Sequence, residues 1–272
     1  MPAINTNVAA LFAQQSLKVN ERNQSNAMRQ LSTGSRLNTA ADDAAGMAIG
    51  QNMTSQVKGL NQAVRNLNDG INMLQTAEGA LGETSNMLQR MRELAVQSSN
   101  GTYSTTQRGY LQTEFVALSS QIGKIATDTK WNDQSLLAVT ATSFAFQAGK
   151  DSGQTVSVTI GAMTLAGLGV TAAVAVDTST SAVTSIALLD SAIGLVNGQR
   201  ATIGAGINQM TYAVDNISNV AANTAASRST IMDTDYATAS TQLSKTQIIQ
   251  QAATAMLAQA NQQPQAVLSL LK

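Results

Sequence analysis

The chain contains no cysteine and no histidine in its 272 residues. The first absence excludes disulfides, thiolate metal sites and cysteine nucleophiles, and it leaves the redox compartment unread. The second removes the commonest general base and the commonest metal ligand, and with them the His-Glu-x-x-His peptidase pattern. No Ser, Lys or carboxylate constellation points to a catalytic pocket, and neither a cofactor nor a metal is expected. Aromatic residues make up only 3% of a chain that is 43% hydrophobic. The apolar content is therefore mostly Ala, Leu, Ile, Val and Met, which suits thin helix contacts better than a thick globular core.

Charge of one sign is also missing as a pattern. Sixteen Lys and Arg balance sixteen Asp and Glu, without a block of like charge, so no footprint for nucleic acid or acidic lipid exists. Near-zero net charge favours association, a liability in a monomer and an asset in a polymer subunit. The N-terminus lacks a cationic n-region, since Lys18 is its first charged side chain, and no cleavable secretory signal is expected. The uncharged stretch from Ser152 to Val176 is broken by Gly, Ser, Thr and Gln, so a membrane span is not expected there.

What is present is heptad spacing. Leu60, Leu67, Leu74, Leu81, Leu88 and Ala95 recur every seventh position, with Val57, Val64 and Ile71 three residues before the first three of them. This reads as the a/d seam of a left-handed coiled coil, although Glu78 and Ser85 on the second row require a polar partner or a register shift. A second run, Leu111, Phe115, Leu118, Ile122 and Ile125, follows the Asn100-Gly101 turn signal, which predicts an antiparallel helical hairpin. A third carries Leu189, Val196, Ile203, Met210, Ile217 and Ile231 on one row and Ile186, Ile193, Ile207, Val214 and Ala221 on the other. The three can bury their stripes against one another as a bundle.

Between the second and third runs the period falls to two. Phe144 and Phe146, a turn at Gly149 to Gly153, then Val156, Val158 and Ile160 predict a β-hairpin. Gly161 to Ser185 is expected to be extended or loop. At the N-terminus, a helix with thin apolar cover should stop at Ser32-Thr33-Gly34, where Gly suits a left-handed cap. A new helix is expected from Thr39, with Asp42 completing an approximate capping box. Asp42 and Asp43 are read as caps, not as metal ligands. Met47, Met53, Met73, Met87 and Met91 are read as helix contacts, and Trp131 as an anchor near the hairpin. Ser and Thr between 140 and 185 fit O-glycan acceptors or plain turn residues equally well.

The fold class that follows is mainly α: a long coiled-coil helical rod, both termini paired at one end and a small β-hairpin region at the tip. One helix of about 45 residues spans roughly 65 Å. The terminal segments carry Ile4, Val8, Leu11 and Phe12 on one side of the sequence and Ile249, Met256, Val267, Leu268 and Leu271 on the other. Thr246 to Leu271 holds no charge, and such a helix gains little alone in water. The apolar stripe has no partner within the same tail, and Pro264 is expected to kink or pause the last helix.

At these residues the chain resembles bacterial flagellin in a short form without large outer domains. The similarity lies in LSTGSRLNTAADDAAGMAI from Leu31 to Ile49, LNDGINMLQTAEGAL from Leu67 to Leu81, DTDYA from Asp233 to Ala237 and LAQANQQPQAVLSLL from Leu257 to Leu271. The resemblance implies a secreted, extracellular subunit of the bacterial flagellum that polymerises with itself into a motility filament, with Ile4, Val8, Leu11, Phe12, Ile249, Met256, Val267, Leu268 and Leu271 acting as its polymerisation tails. It implies an inner domain of 1–45 with 233–272, a helical rod domain of 46–138 with 178–232, and a hairpin and loop region at 139–177. It also implies dealings with an export chaperone, the flagellar export apparatus, and hook-associated junction and cap proteins. The segment QRMRELAVQ from Gln89 to Gln97 is similar to the stretch by which flagellins are recognised by Toll-like receptor five, with Gln89, Arg90, Leu94 and Glu114 serving recognition and subunit packing. A junction protein with the same paired tails is the rival within the structural class. A secreted helical effector is the rival outside it.

Overall fold

The computed structural model describes residues 6–137, 140–170 and 174–269, with side-chain surroundings as far as residue 262. It is mainly α. The order is α1 (Val8–Thr33), α2 (Ala44–Ser99), α3 (Thr105–Asp128), β1 (Lys130–Trp131), β2 (Gln134–Ser135), β3 (Thr142–Gln147), β4 (Thr155–Ile160), α4 (Ser179–Met232) and α5 (Tyr236–Ser269). Two compact units result, one from 1–57 with 222–272 and one from 58–221.

The 58–221 unit holds one hydrophobic core built from α2, α3, α4, the β3–β4 hairpin and the loop before α4. Leu67, Leu74, Leu81, Leu88 and Ala95 of α2 are fully buried, as are Leu189, Val196, Ile203 and Met210 of α4. The second row of each seam differs from expectation. In α2 the fully covered positions lie three residues after the leucines, at Ala63, Gly70, Ala77, Thr84, Met91 and Ser98, and in α4 at Ser185, Ala192 and Gly206. Val64, Ile71, Ile186, Ile193, Ile207 and Val214 are only half-buried beside them. Small side chains let helix backbones approach closely, and the branched residues then fill the flanks of a stripe wider than a two-helix seam. Glu78 therefore sits at the flank, where Arg200 of α4 approaches to 3.6 Å.

α3 opens with a capping box in which Ser104 and Gln107 exchange side-chain and backbone bonds. Arg108 reaches back to donate to the carbonyls of Ser98 and Asn100 at 2.8 and 2.9 Å, satisfying the C-terminus of α2. β3 and β4 pair antiparallel with Phe144 opposite Val158 and Phe146 opposite Val156, and Val156, Val158 and Ile160 face the core. Two glycines seat this hairpin. A Cβ at Gly70 of α2 would meet the Phe146 ring, and one at Gly206 of α4 would meet the Val158 methyls. The Gln199 amide covers the end of the β4 edge, donating to Thr159 O at 3.1 Å and accepting from Gly161 N at 3.0 Å.

Three expectations need correction. The helix after Gly34 starts at Ala44, not Thr39: Asp42 accepts from the Asn38 and Thr39 amides and closes a turn, while Asp43 accepts from Gly46 N at 2.9 Å and caps the helix. Ser179 to Ser185, expected in a loop, already belongs to α4. The β1–β2 hairpin was not anticipated; its two-residue turn places Asn132 and Asp133 at φ 47° and 63°, values that Asn and Asp tolerate better than other non-glycine residues. Trp131 does pack against the core there, half-buried. α4 is the helix among the described residues that is long and apolar enough to cross a membrane by length and composition; its apolar rows are those that build this core.

Candidate assembly surface

The other unit pairs the two chain ends. Asn7 caps α1 by accepting from Ala10 N, and Gly34 ends it in the left-handed region at φ 68° with its amide on Gln30 O. Gly34 is required twice, because the Tyr236 hydroxyl would lie 2.9 Å from any Cβ there. The segments after α1 and before α5 are stitched antiparallel. Arg36 N donates to Met232 O at 2.7 Å, Thr234 N donates to Gly34 O at 3.0 Å, and the Arg36 guanidinium donates to Ile231 O at 2.7 Å. The motifs from Leu31 and from Asp233 thus meet each other. Asp235 starts α5, accepting from the Thr238 hydroxyl at 2.8 Å and the Ala237 amide at 2.9 Å. The Thr238 hydroxyl and the Ala237 amide hold its carboxyl below the usual range, as the Thr39 and Asn38 amides do for Asp42.

Two further bonds fix the helix pair. Asn20 Nδ2 donates to Thr246 O and Asn7 Nδ2 donates to Ala260 O, both at 2.8 Å. In that antiparallel register the covered positions of α1, namely Ala10, Ala13, Leu17, Asn20, Gln24 and Ala27, fall opposite Leu257, Ala253, Gln250, Thr246, Leu243 and Ala239 of α5. Both sets follow the three-four spacing of a helix seam. Nine of these twelve are alanine or polar, with Leu17, Leu243 and Leu257 as the larger apolar members, so the seam buries little apolar area for its length.

Apart from Leu17, most of the larger apolar side chains of this part of α1 lie elsewhere. Val8, Leu11, Phe12 and Val19 are exposed, Leu11 by 56% and Phe12 by 70%. At 3.6 residues per turn they form one stripe on the side of α1 roughly opposite the α5 seam. On α5, Ile248 and Met256 are each 66% exposed and Ile249 is 41% exposed; Ile248, Ala252 and Met256 stand one turn apart on one line. Of the residues expected to act as tails, Val8, Leu11, Phe12, Ile249 and Met256 are thus on the surface of this unit. Ile4 and Leu271 lie outside the described residues, and at Val267 and Leu268 only the helical backbone is described. α5 continues through Pro264 to Ser269.

The expected recognition residues lie on the other unit. Arg90 Nε donates to Glu114 at 2.9 Å and Arg90 Nη1 to Glu93 at 3.0 Å, which holds the guanidinium even more firmly charged. Gln89 is exposed beside them. Leu94 is not: at 1% exposure it belongs to the core, so it supports the helix and offers no surface. Among the described residues no three acidic side chains cluster where they could hold a metal ion together.

Residues 4–142 match the family model described as the bacterial flagellin N-terminal helical region, and residues 186–271 match the bacterial flagellin C-terminal helical region. The chain is 42% identical over 271 residues to a flagellin of Halalkalibacterium halodurans, covering 99% of both chains. It is 41% identical over 285 residues to the flagellar filament 33 kDa core protein of Treponema phagedenis, again covering 99% of each. With flagellin B of Vibrio cholerae the identity is 34% over 371 aligned positions, 98% of this chain and 99% of the relative. The crystal structure of Bacillus cereus flagellin is similar at a TM-score of 0.51 and 33% identity, over 56% of this chain and 88% of that one.

Proposed function

The chain belongs to the bacterial flagellin family, and we propose that it serves as a structural subunit of the flagellar filament whose α1–α5 unit is the polymerisation element. The observation that carries this is the exposed apolar stripe of Val8, Leu11 and Phe12, on the side of α1 turned away from its seam with α5. A soluble monomer rarely displays contiguous apolar surface without a partner for it. Copies that meet through unlike faces form an open helical assembly, which is what a filament requires. In this reading 1–45 with 233–272 forms the inner domain, and the uncharged end of α5 joins the same interior. Secretion through the export apparatus, with its chaperone, and contact with cap and junction proteins belong to the same proposal.

The test is to replace Leu11 and Phe12 together by Ser. Both are exposed, so the melting temperature of the monomer should stay within a few degrees of the parent. Seeded polymerisation followed by sedimentation and microscopy should yield no filaments. Normal filaments from this variant would remove the stripe from the mechanism. A purified parent that never forms long filaments alone would favour the junction-protein reading.

Recognition of the monomer by Toll-like receptor five is a second reading, supported by the exposed Gln89, Arg90 and Glu114 on neighbouring turns of α2 and α3. Arg90→Ala should lower signalling in receptor-bearing reporter cells without changing monomer stability, because exposed ion pairs contribute little to folding. Equal signalling by parent and variant would discard this reading.

A further inference from the structure

We propose that Met256 is an oxidation site whose conversion to the sulfoxide by a peroxide blocks assembly; this rests on the polymerisation surface proposed above. Without cysteine, thioether sulfurs are the softest nucleophiles the chain offers to such an oxidant, and burial divides them sharply. Met73, Met91, Met163 and Met210 are buried in the core of the 58–221 unit. Met47, Met53, Met87 and Met232 are half-covered. Met28 and Met256 stand out at 55% and 66% exposure, both on the paired terminal helices. Of these two, Met256 continues the outward line of Ile248 and Ala252 on α5, the apolar surface left uncovered by α1.

The chemistry is a two-electron transfer. A sulfur lone pair attacks one peroxide oxygen, the O–O bond breaks, the S–O bond forms, and water leaves; sulfur is oxidised and the peroxide reduced. The product replaces a flexible apolar side chain with a polar, chiral one carrying a strong acceptor. On a free monomer this oxygen is hydrated at no cost, so folding is untouched. At a contact that excludes water it becomes an acceptor without a donor, and association weakens. The side chain is open to oxidant in the monomer and shielded once a neighbour covers it, so the sensitivity belongs to unassembled subunits.

The experiment uses hydrogen peroxide on the full chain, as monomer and as preformed filaments, with peptide mapping for added oxygen and then seeded polymerisation. Met28 and Met256 should oxidise at least about tenfold faster in the monomer than Met91 and Met210. Oxidised monomer should need about tenfold more protein to polymerise, and its melting temperature should be unchanged. For Met256→Leu, the protein concentration needed to polymerise should be the same after peroxide treatment as before it, whatever its value relative to the parent, whereas Met28→Leu should lose assembly on treatment as the parent does. In filaments Met256 should be protected. Oxidation of Met256 no faster than Met210, equal rates in monomer and filament, or equal loss of assembly in parent and Met256→Leu would each overturn the inference. If the Leu11/Phe12 serine variant fails to polymerise while Met256 sulfoxide polymerises normally, only this inference falls. If that variant polymerises, the surface reading itself falls.

Discussion

The seam between α2 and α4 and the seam between α1 and α5 use the same three-four spacing, yet they bury different things. The first covers Leu67, Leu74, Leu81, Leu88, Leu189, Val196 and Ile203 completely. The second covers Ala10, Ala13, Leu17, Asn20, Gln24, Leu243, Thr246, Ala253 and Leu257, most of them only in part, and it leaves Leu11, Phe12, Ile248 and Met256 in solvent. One periodicity thus serves two purposes. Fully buried leucines give a unit that is stable within a single chain; a seam of alanines, polar side chains and half-buried leucines aligns two helices while Leu11, Phe12, Ile248 and Met256 stay outside it. The physical difference is buried apolar area per turn, at about 25 cal/mol for each Å².

The comparison breaks most visibly under a buried charge. Leu74→Asp or Ile203→Asp should unfold the 58–221 unit, at a cost of about 3–5 kcal/mol or more, since each puts a carboxylate where the native side chain is fully buried in the apolar core. Leu17→Asp, at a half-buried seam position of α1, should cost about 1 kcal/mol or less because water reaches it. Thermal melts by circular dichroism distinguish these. Similar losses at Leu74 and Leu17 would mean the two seams are equivalent after all.

Removing residues from Gln251 onward comes next in effect. The cut deletes Ala253, Leu257 and Ala260 from the α5 seam and Met256 from the exposed line, while the core of the 58–221 unit lies wholly outside it. The truncated chain should retain the main thermal transition and form no filaments by sedimentation. Filaments of normal length would place the polymerisation element in the 58–221 unit instead.

Truncated side chains sharpen the same contrast. Leu81→Ala should cost about 2–5 kcal/mol through lost transfer energy and a residual cavity, and Leu257→Ala about 1 kcal/mol. Limited proteolysis of the parent monomer should agree, cutting within about 1–45 and 233–272 before it cuts the other unit. Equal protection of both regions would contradict the difference in burial.

The smallest expected effect is on pH. The carboxyls of Asp42 and Asp235 titrate below their ordinary value because the folded turns donate to them. A depressed folded value means that their contribution is fully present above the unfolded value near 4 and is lost as the pH falls through the folded value. Between pH 5 and pH 3, amide protection relative to the intrinsic exchange rate should therefore fall around residues 38–46 and 234–239 before it falls in the leucine core. Asp42→Asn and Asp235→Asn should flatten that response; an unchanged acid profile in both variants would deny these caps any part in it.

Much of the architecture was legible because helix periodicity and glycine stops are local. The leucine row of α2, the row of Leu189, Val196, Ile203 and Met210 in α4, the end of α1 at Gly34, and the alternation of Phe144, Phe146, Val156 and Val158 all appear in the structure as the sequence predicts them. The second rows were misread, since spacing alone rewards branched residues such as Val64 and Ile71 over Ala63 and Gly70. The start of α2 was misplaced because Asp42 and Asp43 are interchangeable by pattern and distinguished only by which amides they reach. The β1–β2 hairpin went unseen because Asn132-Asp133 lacks the glycine that usually marks such a turn.

The candidate surface divides in the same way. Residue types placed Val8, Leu11, Phe12, Ile249 and Met256 among the apolar side chains of the terminal helices, and the absence of histidine and cysteine excluded much of enzyme chemistry, since both follow from side-chain identity. Leu94 and Arg90 are one turn apart in sequence, but the first is core and the second surface. Only the packing of α3 and α4 against α2 decides that. The sequence by itself determined which faces are apolar, because a helix repeats every 3.6 residues wherever it lies. The tertiary structure decided which of those faces are covered, because burial depends on the register of distant segments, such as Asn20 against Thr246, and no local spacing encodes it.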